Sequence, residues 1–243
     1  MIKNFKKNLQ NLFKYISYNV FFIFYGKIRG TSFIADSDNH RVDNVNFENN
    51  ISYKVYSVNS GRLYTDRINN TALIYENILL DGPSFQLKIN NNSDIKNNFV
   101  LLNGTPRIKK KLSGKVMSLL TGGGGNANYW HWLFDVLPRL AIVKKIISLD
   151  KIDYFLFPDT IKPFQKETLD MLNIPINKRL SSVKFRHISA AQIIVTEHPF
   201  IKKKAHEDTQ NIPIWISEWL KKNFIKKNFF TNKIFPKKIY IDR

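Results

Sequence analysis

From residue 114 onward the chain alternates apolar runs of strand length with stretches of helical period, and this rhythm limits the possible folds more than any other feature. Residues 115–120 (KVMSLL), 153–157 (DYFLF) and 192–196 (QIIVT) read as strands, with a further strand at 238–242. Residues 129–136, 138–149, 164–172 and 214–224 read as helices. Such alternation implies an α/β fold, a mainly parallel sheet with helices on both faces, Rossmann-like in kind. Ligands in that architecture gather at the carboxyl ends of the strands. Pro138 cannot donate a backbone hydrogen bond, so it either kinks the first of these helices or begins the second.

The chemistry concentrates at 121–139, TGGGGNANYWHWLFDVLPR, where an apolar strand runs into four glycines and then a polar helix start. His131 and Asp135 are four apart, so on a helix they share a face, and an imidazole beside a carboxylate makes a general-base pair. Which of the two is the base stays open, as does a structural reading in which His131 is a core histidine beneath Tyr129, Trp130 and Trp132. Gly124 and Gly125 allow close backbone approach to a ligand, or simply a flexible turn; the stretch is neither G-x-G-x-x-G nor a Walker loop. Asn126 and Asn128 either cap the helix or bond sugar hydroxyls. Arg139, four beyond Asp135, is either its ion-pair partner or an anion ligand freed by the break at Pro138. Trp215 and Trp219, four apart on one helix, read as core. His198 follows a strand at the edge where ligands would gather and is either an acceptor-site residue or an ordinary loop histidine. His40, His187 and His206 form no metal-ligand spacing with carboxylates.

The stretch NYWHWLFDVLPRL resembles the N-Y-x-H-W-x-x-[DE]-x-L-P-R-L signature of glycosyltransferase family 61, often described as capsular polysaccharide biosynthesis proteins. AQIIVTEHP at 191–199, IPIWISEWLKKNF at 212–224 and KIYIDR at 238–243 resemble the family's later strand, Pro-x-Trp helix and final strand, in the same order. The likeness covers roughly residues 61–243. It implies one lobe of a GT-B glycosyltransferase performing an inverting, nucleotide-sugar-dependent transfer, with His131 and Asp135 acting on the acceptor. Tyr129, Trp130 and His198 would line the acceptor site, and Arg243 would approach the nucleotide diphosphate. No metal or other cofactor is expected, the nucleotide sugar being a co-substrate. The family continues into a second Rossmann-like lobe, so the chain is expected to be the amino lobe alone, its donor lobe missing or on a separate chain.

Two segments precede the α/β portion at 114–243. Residues 36–113 look β-rich, with alternating runs at 52–58, 71–80 and 85–89, an Asn-rich loop at 90–98, and turn signals at 61–64 and 105–107. Residues 1–35 carry six basic residues and no acid, and Phe5, Leu9, Leu12, Phe13 and Ile16 recur at helical spacing. The apolar run 20–25 is too short to span a bilayer. An amphipathic basic helix lying on an anionic membrane surface is the expectation, against simple docking of its apolar face on the domain. The net charge of +19 attracts anions, although a chain so rich in Lys, Asn and Ile owes part of that to compositional bias. The lysines are scattered without a nucleic-acid motif, so no specific nucleic-acid partner is expected. The absence of cysteine excludes disulfides and thiolate metal sites and fits a reducing compartment. The expectation is a peripheral protein at the cytoplasmic face of the inner membrane, and the family resemblance implies a nucleotide sugar and a glycan acceptor as its partners. The alternative is a truncated, non-catalytic lobe that binds glycan or membrane.

Overall fold

The structure, a computed structural model, describes residues 2–48, 50–66, 70–86, 95–120, 128–199 and 212–225. A 24-residue helix α1 (Ile2–Tyr25) leads into β1 (Thr31–Phe33), β2 (His40–Asn46) and β3 (Ser52–Asn59). The strands β4 (Arg62–Thr65), β5 (Asn70–Tyr75), β6 (Ile78–Asp81) and β7 (Phe85–Gln86) follow, then a short helix α2 (Phe99–Asn103) capped by the Asn98 side chain. The α/β portion comprises β8 (Lys110–Ser118), α3 (Tyr129–His131), a π-turn (Trp132–Val136), α4 (Pro138–Lys144), β9 (Tyr154–Phe157) and α5 (Pro163–Met171). It ends with β10 (Arg179–Ser181), β11 (His187–Thr196) and α6 (Ile214–Phe224). The closing strand expected at 238–242 lies outside the described residues.

The fold is mixed α/β around one large sheet of 11 strands. Its block β10-β9-β8-β11 is parallel throughout, as the strand–helix rhythm implies. The ten-residue β11 is the seam. One edge pairs with β8; the other pairs antiparallel with β4 at its start and with β3 at its end. The β-rich stretch 36–113 therefore joins the α/β portion in one continuous sheet through that strand.

Several local expectations change. The turn signal at 61–64 is instead β4, all four of whose residues are buried; the turn sits one step earlier, at Ser60 with φ 52°. The run 71–80 folds into the β5–β6 hairpin, because Glu76 and Asn77 both take positive φ (48° and 62°), the geometry a tight two-residue hairpin turn needs. The helix expected over 138–149 stops at Lys144.

The helices also lie differently from the expectation of two covered faces. On β8, β9 and β11 alternate residues divide between two cores. Met117, Phe155, Phe157 and Ile194 face Trp132, Leu140, Leu169 and Trp215 of the π-turn, α4, α5 and α6. Val116, Leu156, Ile193 and Val195 face a second core that, among the described residues, comes from strands and loops alone. Tyr64, Ala72 and Ile74 pack with Val100 of α2. Tyr64 pairs with His187, one residue from Ile188, so this third cluster shares the helical face. Among the described residues the helices therefore lie on one side of the sheet.

His187, the first residue of β11, is buried beneath the edges of Tyr25 and Tyr64 and donates Nδ1–H to the Arg107 carbonyl oxygen at 2.8 Å. Burial, aided by the cations of Arg62 and Lys109, pulls its pKa down to about 4 against the opposing pull of that hydrogen bond. The folded form therefore holds this ring neutral. As pH falls below 6.5 the unfolded chain takes up a proton that the folded chain refuses, and stability is lost down to about pH 4. The loss is about 3 kcal/mol. Denaturant unfolding between pH 7 and pH 4 should show this as a wild-type slope that His187→Phe flattens; parallel slopes would contradict the buried neutral imidazole.

Candidate active site

Asn128 starts the helix by accepting the backbone N–H groups of Trp130 (2.9 Å) and His131 (3.3 Å) on its side-chain oxygen, so it is a helix cap. The helix cannot continue regularly, because Pro138 offers no N–H to the turn before it. The Leu137 N–H reaches back instead to the Trp132 carbonyl at 3.1 Å, an i to i−5 bond that widens the turn over Trp132–Val136. Pro138 then opens α4 at its first turn. Both readings of Pro138 thus describe one event: the wide turn ends as the next helix begins. Trp132 anchors the turn, fully buried, its indole N–H donating to Thr168 Oγ1 at 2.9 Å.

On this turn the His131 Nδ1–H donates to Asp135 Oδ2 at 2.7 Å. His198 Nε2 lies 3.6 Å from the same oxygen. The aspartate side chain is 1% exposed, while those of His131 and His198 are 20% and 19% exposed. One sequestered carboxylate therefore sits between two imidazoles that both reach the surface. Trp130 packs its edge against the His131 ring at 5.0 Å.

Arg139 faces inward. It is buried; its Nε donates to the Asp135 carbonyl at 2.9 Å, and Nη1 donates to the Thr196 carbonyl (3.0 Å) and hydroxyl (3.3 Å). Burial lowers its pKa to about 10, partly offset by the charge of Asp135. The guanidinium bolts the π-turn to the carboxyl end of β11, and Asp135 gives its carboxylate to histidine rather than to an arginine fork.

His198 is held by its neighbours. The Glu197 carboxylate accepts the Lys54 backbone N–H at 2.8 Å and the Tyr56 hydroxyl at 3.3 Å. The hydroxyl of Tyr53 donates to the Pro199 carbonyl at 2.6 Å while accepting the Trp215 indole N–H at 3.0 Å. Trp215 in turn stacks on Phe47, with ring centres 4.1 Å apart. Tyr53, Tyr56 and Thr196 are supports that sequence reasoning did not find; Tyr53 and Trp215 meet across 162 residues, and no local pattern signals the pairing.

Tyr129 lies elsewhere. Two residues from His131, it points around the helix to a mostly apolar cleft of about 380 Å³ shared with Leu133, Phe164, Leu220 and Phe224. Gly124, Gly125, Asn126 and Arg243 lie outside the described residues. Among the described residues no group of three or more His, Asp or Glu side chains could hold a metal ion. The chain matches no protein-family model, no curated protein and no solved structure.

Tyr53→Phe removes both bonds of that hydroxyl and strands a buried indole N–H and a carbonyl. The expected loss is about 1–3 kcal/mol, read by denaturant unfolding. An unchanged midpoint would show that the Tyr53 contacts do not hold the His198 segment.

Proposed function

We propose that the chain is a glycosyltransferase: an inverting, nucleotide-sugar-dependent transfer of a sugar to a hydroxyl of a glycan acceptor, in the synthesis of a surface or capsular polysaccharide. The observation that carries the reading is the His131–Asp135 pair, a partly exposed imidazole bonded to a sequestered carboxylate, set beside the carboxyl end of β11. The resemblance of residues 128–140 to the family 61 signature supplies the substrate class.

In this reading His131 is the base. Its Nδ1 is committed as donor to Asp135, which leaves the lone pair on Nε2 for a proton. The acceptor hydroxyl gives its proton to Nε2 as its oxygen attacks the anomeric carbon. The bond from that carbon to the nucleotide diphosphate breaks on the opposite face of the sugar, so the configuration inverts. Asp135 keeps the ring in the right tautomer and balances the imidazolium that forms. The burial of Asp135 favours this assignment over the reverse, because a carboxylate already spent on Nδ1 is poorly placed to meet an acceptor. His198, on the other side of the carboxylate, borders the acceptor position, and Trp130 offers an aromatic edge beside it. The leaving diphosphate falls to Arg243 and to a second, GT-B-type lobe, in this chain's continuation or on a partner chain. We place the reaction at the cytoplasmic face of the inner membrane, with the protein peripheral; among the described residues no helix is long and apolar enough to cross a membrane.

The test is nucleotide-sugar consumption by the polypeptide, alone and with a downstream partner chain. His131→Ala should lower kcat by about 10²–10⁴-fold. Asp135→Asn, which keeps the shape but no longer fixes the tautomer, should also lower kcat with KM for the donor little changed. No turnover in either setting, or full turnover by His131→Ala, removes the role assigned here. Glycan or lipid binding without turnover would leave the non-catalytic lobe.

A further inference from the structure

Helix α1 is apolar on two sides. One side docks: Tyr18 meets Phe99 edge-on with ring centres 6.2 Å apart, and the Tyr25 hydroxyl accepts the Lys109 N–H at 2.9 Å. Phe22 lies so near Gly104 (φ +61°) that a Cβ there would come within 2.6 Å of its ring. These three residues share a face at helical spacing. Among the described residues the opposite face is exposed. Leu9, Leu12, Phe13, Ile16, Ile23 and Phe24 fall within about 120° of arc, and Ile23 is 83% exposed and Phe13 and Phe24 each 73%. The strip runs about 22 Å along the axis. It is not the face that seats the helix on its own domain.

Charge selects what covers it. Every charged side chain in residues 1–35 is basic: Lys3, Lys6, Lys7, Lys14, Lys27 and Arg29. A second copy packed on the strip would bring like charges together, whereas acidic headgroups would neutralise them. The strip is also one-sided, with Asn11 and the exposed Lys14 across the helix from it, and α1 does not meet the length and apolarity of a membrane span. A helix of this kind lies in the plane of the interface.

We infer that α1 binds an anionic lipid surface through the face carrying Leu9, Phe13, Ile16, Ile23 and Phe24, while Tyr18, Phe22 and Tyr25 keep it fastened to the sheet. The helix is thus two-sided by design of its sequence, one face for lipid and one for protein. The inference stands apart from glycosyl transfer and holds whether or not the chain turns over a sugar.

Co-sedimentation of the full chain with vesicles tests it. Binding to mixed phosphatidylglycerol–phosphatidylcholine vesicles should exceed binding to phosphatidylcholine alone by about tenfold or more and should weaken with salt. Phe13→Glu with Ile23→Glu should abolish the binding and leave the unfolding midpoint unchanged, since both side chains are exposed. Equal binding to neutral vesicles, no binding to anionic ones, or unaltered binding by the double variant would overturn the assignment. So would a concentration-dependent dimer that the double variant dissolves, because the strip would then belong to a second copy.

Discussion

β11 needs hydrogen-bond partners on both edges, and the arrangement of the molecule follows from how it finds them. A strand buried in the middle of a sheet must satisfy both rows of backbone groups. β8 supplies one row in parallel register; β4 and then β3 supply the other, antiparallel and in succession. A register shift between Ala190 and Gln192 marks the place where one partner gives way to the next. Such an irregularity re-aims the residues beyond it. Past it, Ile194 faces the helices and Val195 the opposite core, and Thr196 arrives within reach of Arg139.

The candidate site depends on a buried carboxylate being tolerated. Removing a charge from water is costly unless it is paired and hydrogen-bonded. Asp135 is hydrogen-bonded to His131 at 2.7 Å, His198 lies 3.6 Å from the same oxygen, and the Arg139 cation lies on the backbone side of the same residue. The wide turn is what makes this geometry available. In a regular helix Arg139 would compete for the same face as Asp135 four residues earlier. Here the turn imposed by Pro138 sends the guanidinium to Thr196, and the carboxylate is left to the imidazoles. The proline is thus part of the site although it touches no reacting group.

How much of this was legible follows from sequence distance. The cap at Asn128, the pairing of His131 with Asp135 and the boundary at Pro138 are local, and the pattern of residues 128–139 announces them. Of the parallel block, β8, β9 and β11 were legible too, because strands joined through helices leave a rhythm; the three-residue β10 was not. In the antiparallel half the runs at 52–58 and 71–80 announced β3 and the β5–β6 hairpin, but not how the strands pair. β4 looked like a turn because Gly61 immediately precedes it, and only its pairing with His187–Ser189 of β11, more than a hundred residues on, makes it a buried strand. The supports of His198 are hidden for the same reason, as Tyr53 and Tyr56 lie on β3 and reach residues 197 and 199. That the helices gather on one face follows from those long-range pairings and leaves no local trace.

The two ends of β11 carry different tasks. At its start His187 packs beneath Tyr25, the last residue of α1; at its end Thr196 receives Arg139 from the candidate site. Ten residues of strand separate these points by about 30 Å. Groups so far apart with no shared partner contribute nearly additively, so the lipid contact and the proton transfer proposed above would be alterable one at a time. Yet both rest on a strand paired along both edges, which has little freedom to bend. On the reading proposed above, a lipid surface that fixed α1 would also constrain where the histidine pair sits relative to that surface, and an acceptor carried on the same membrane would meet the site within a restricted range of orientations. Positioning of that sort acts before any chemistry, by removing rotational freedom that a freely diffusing encounter would have to lose.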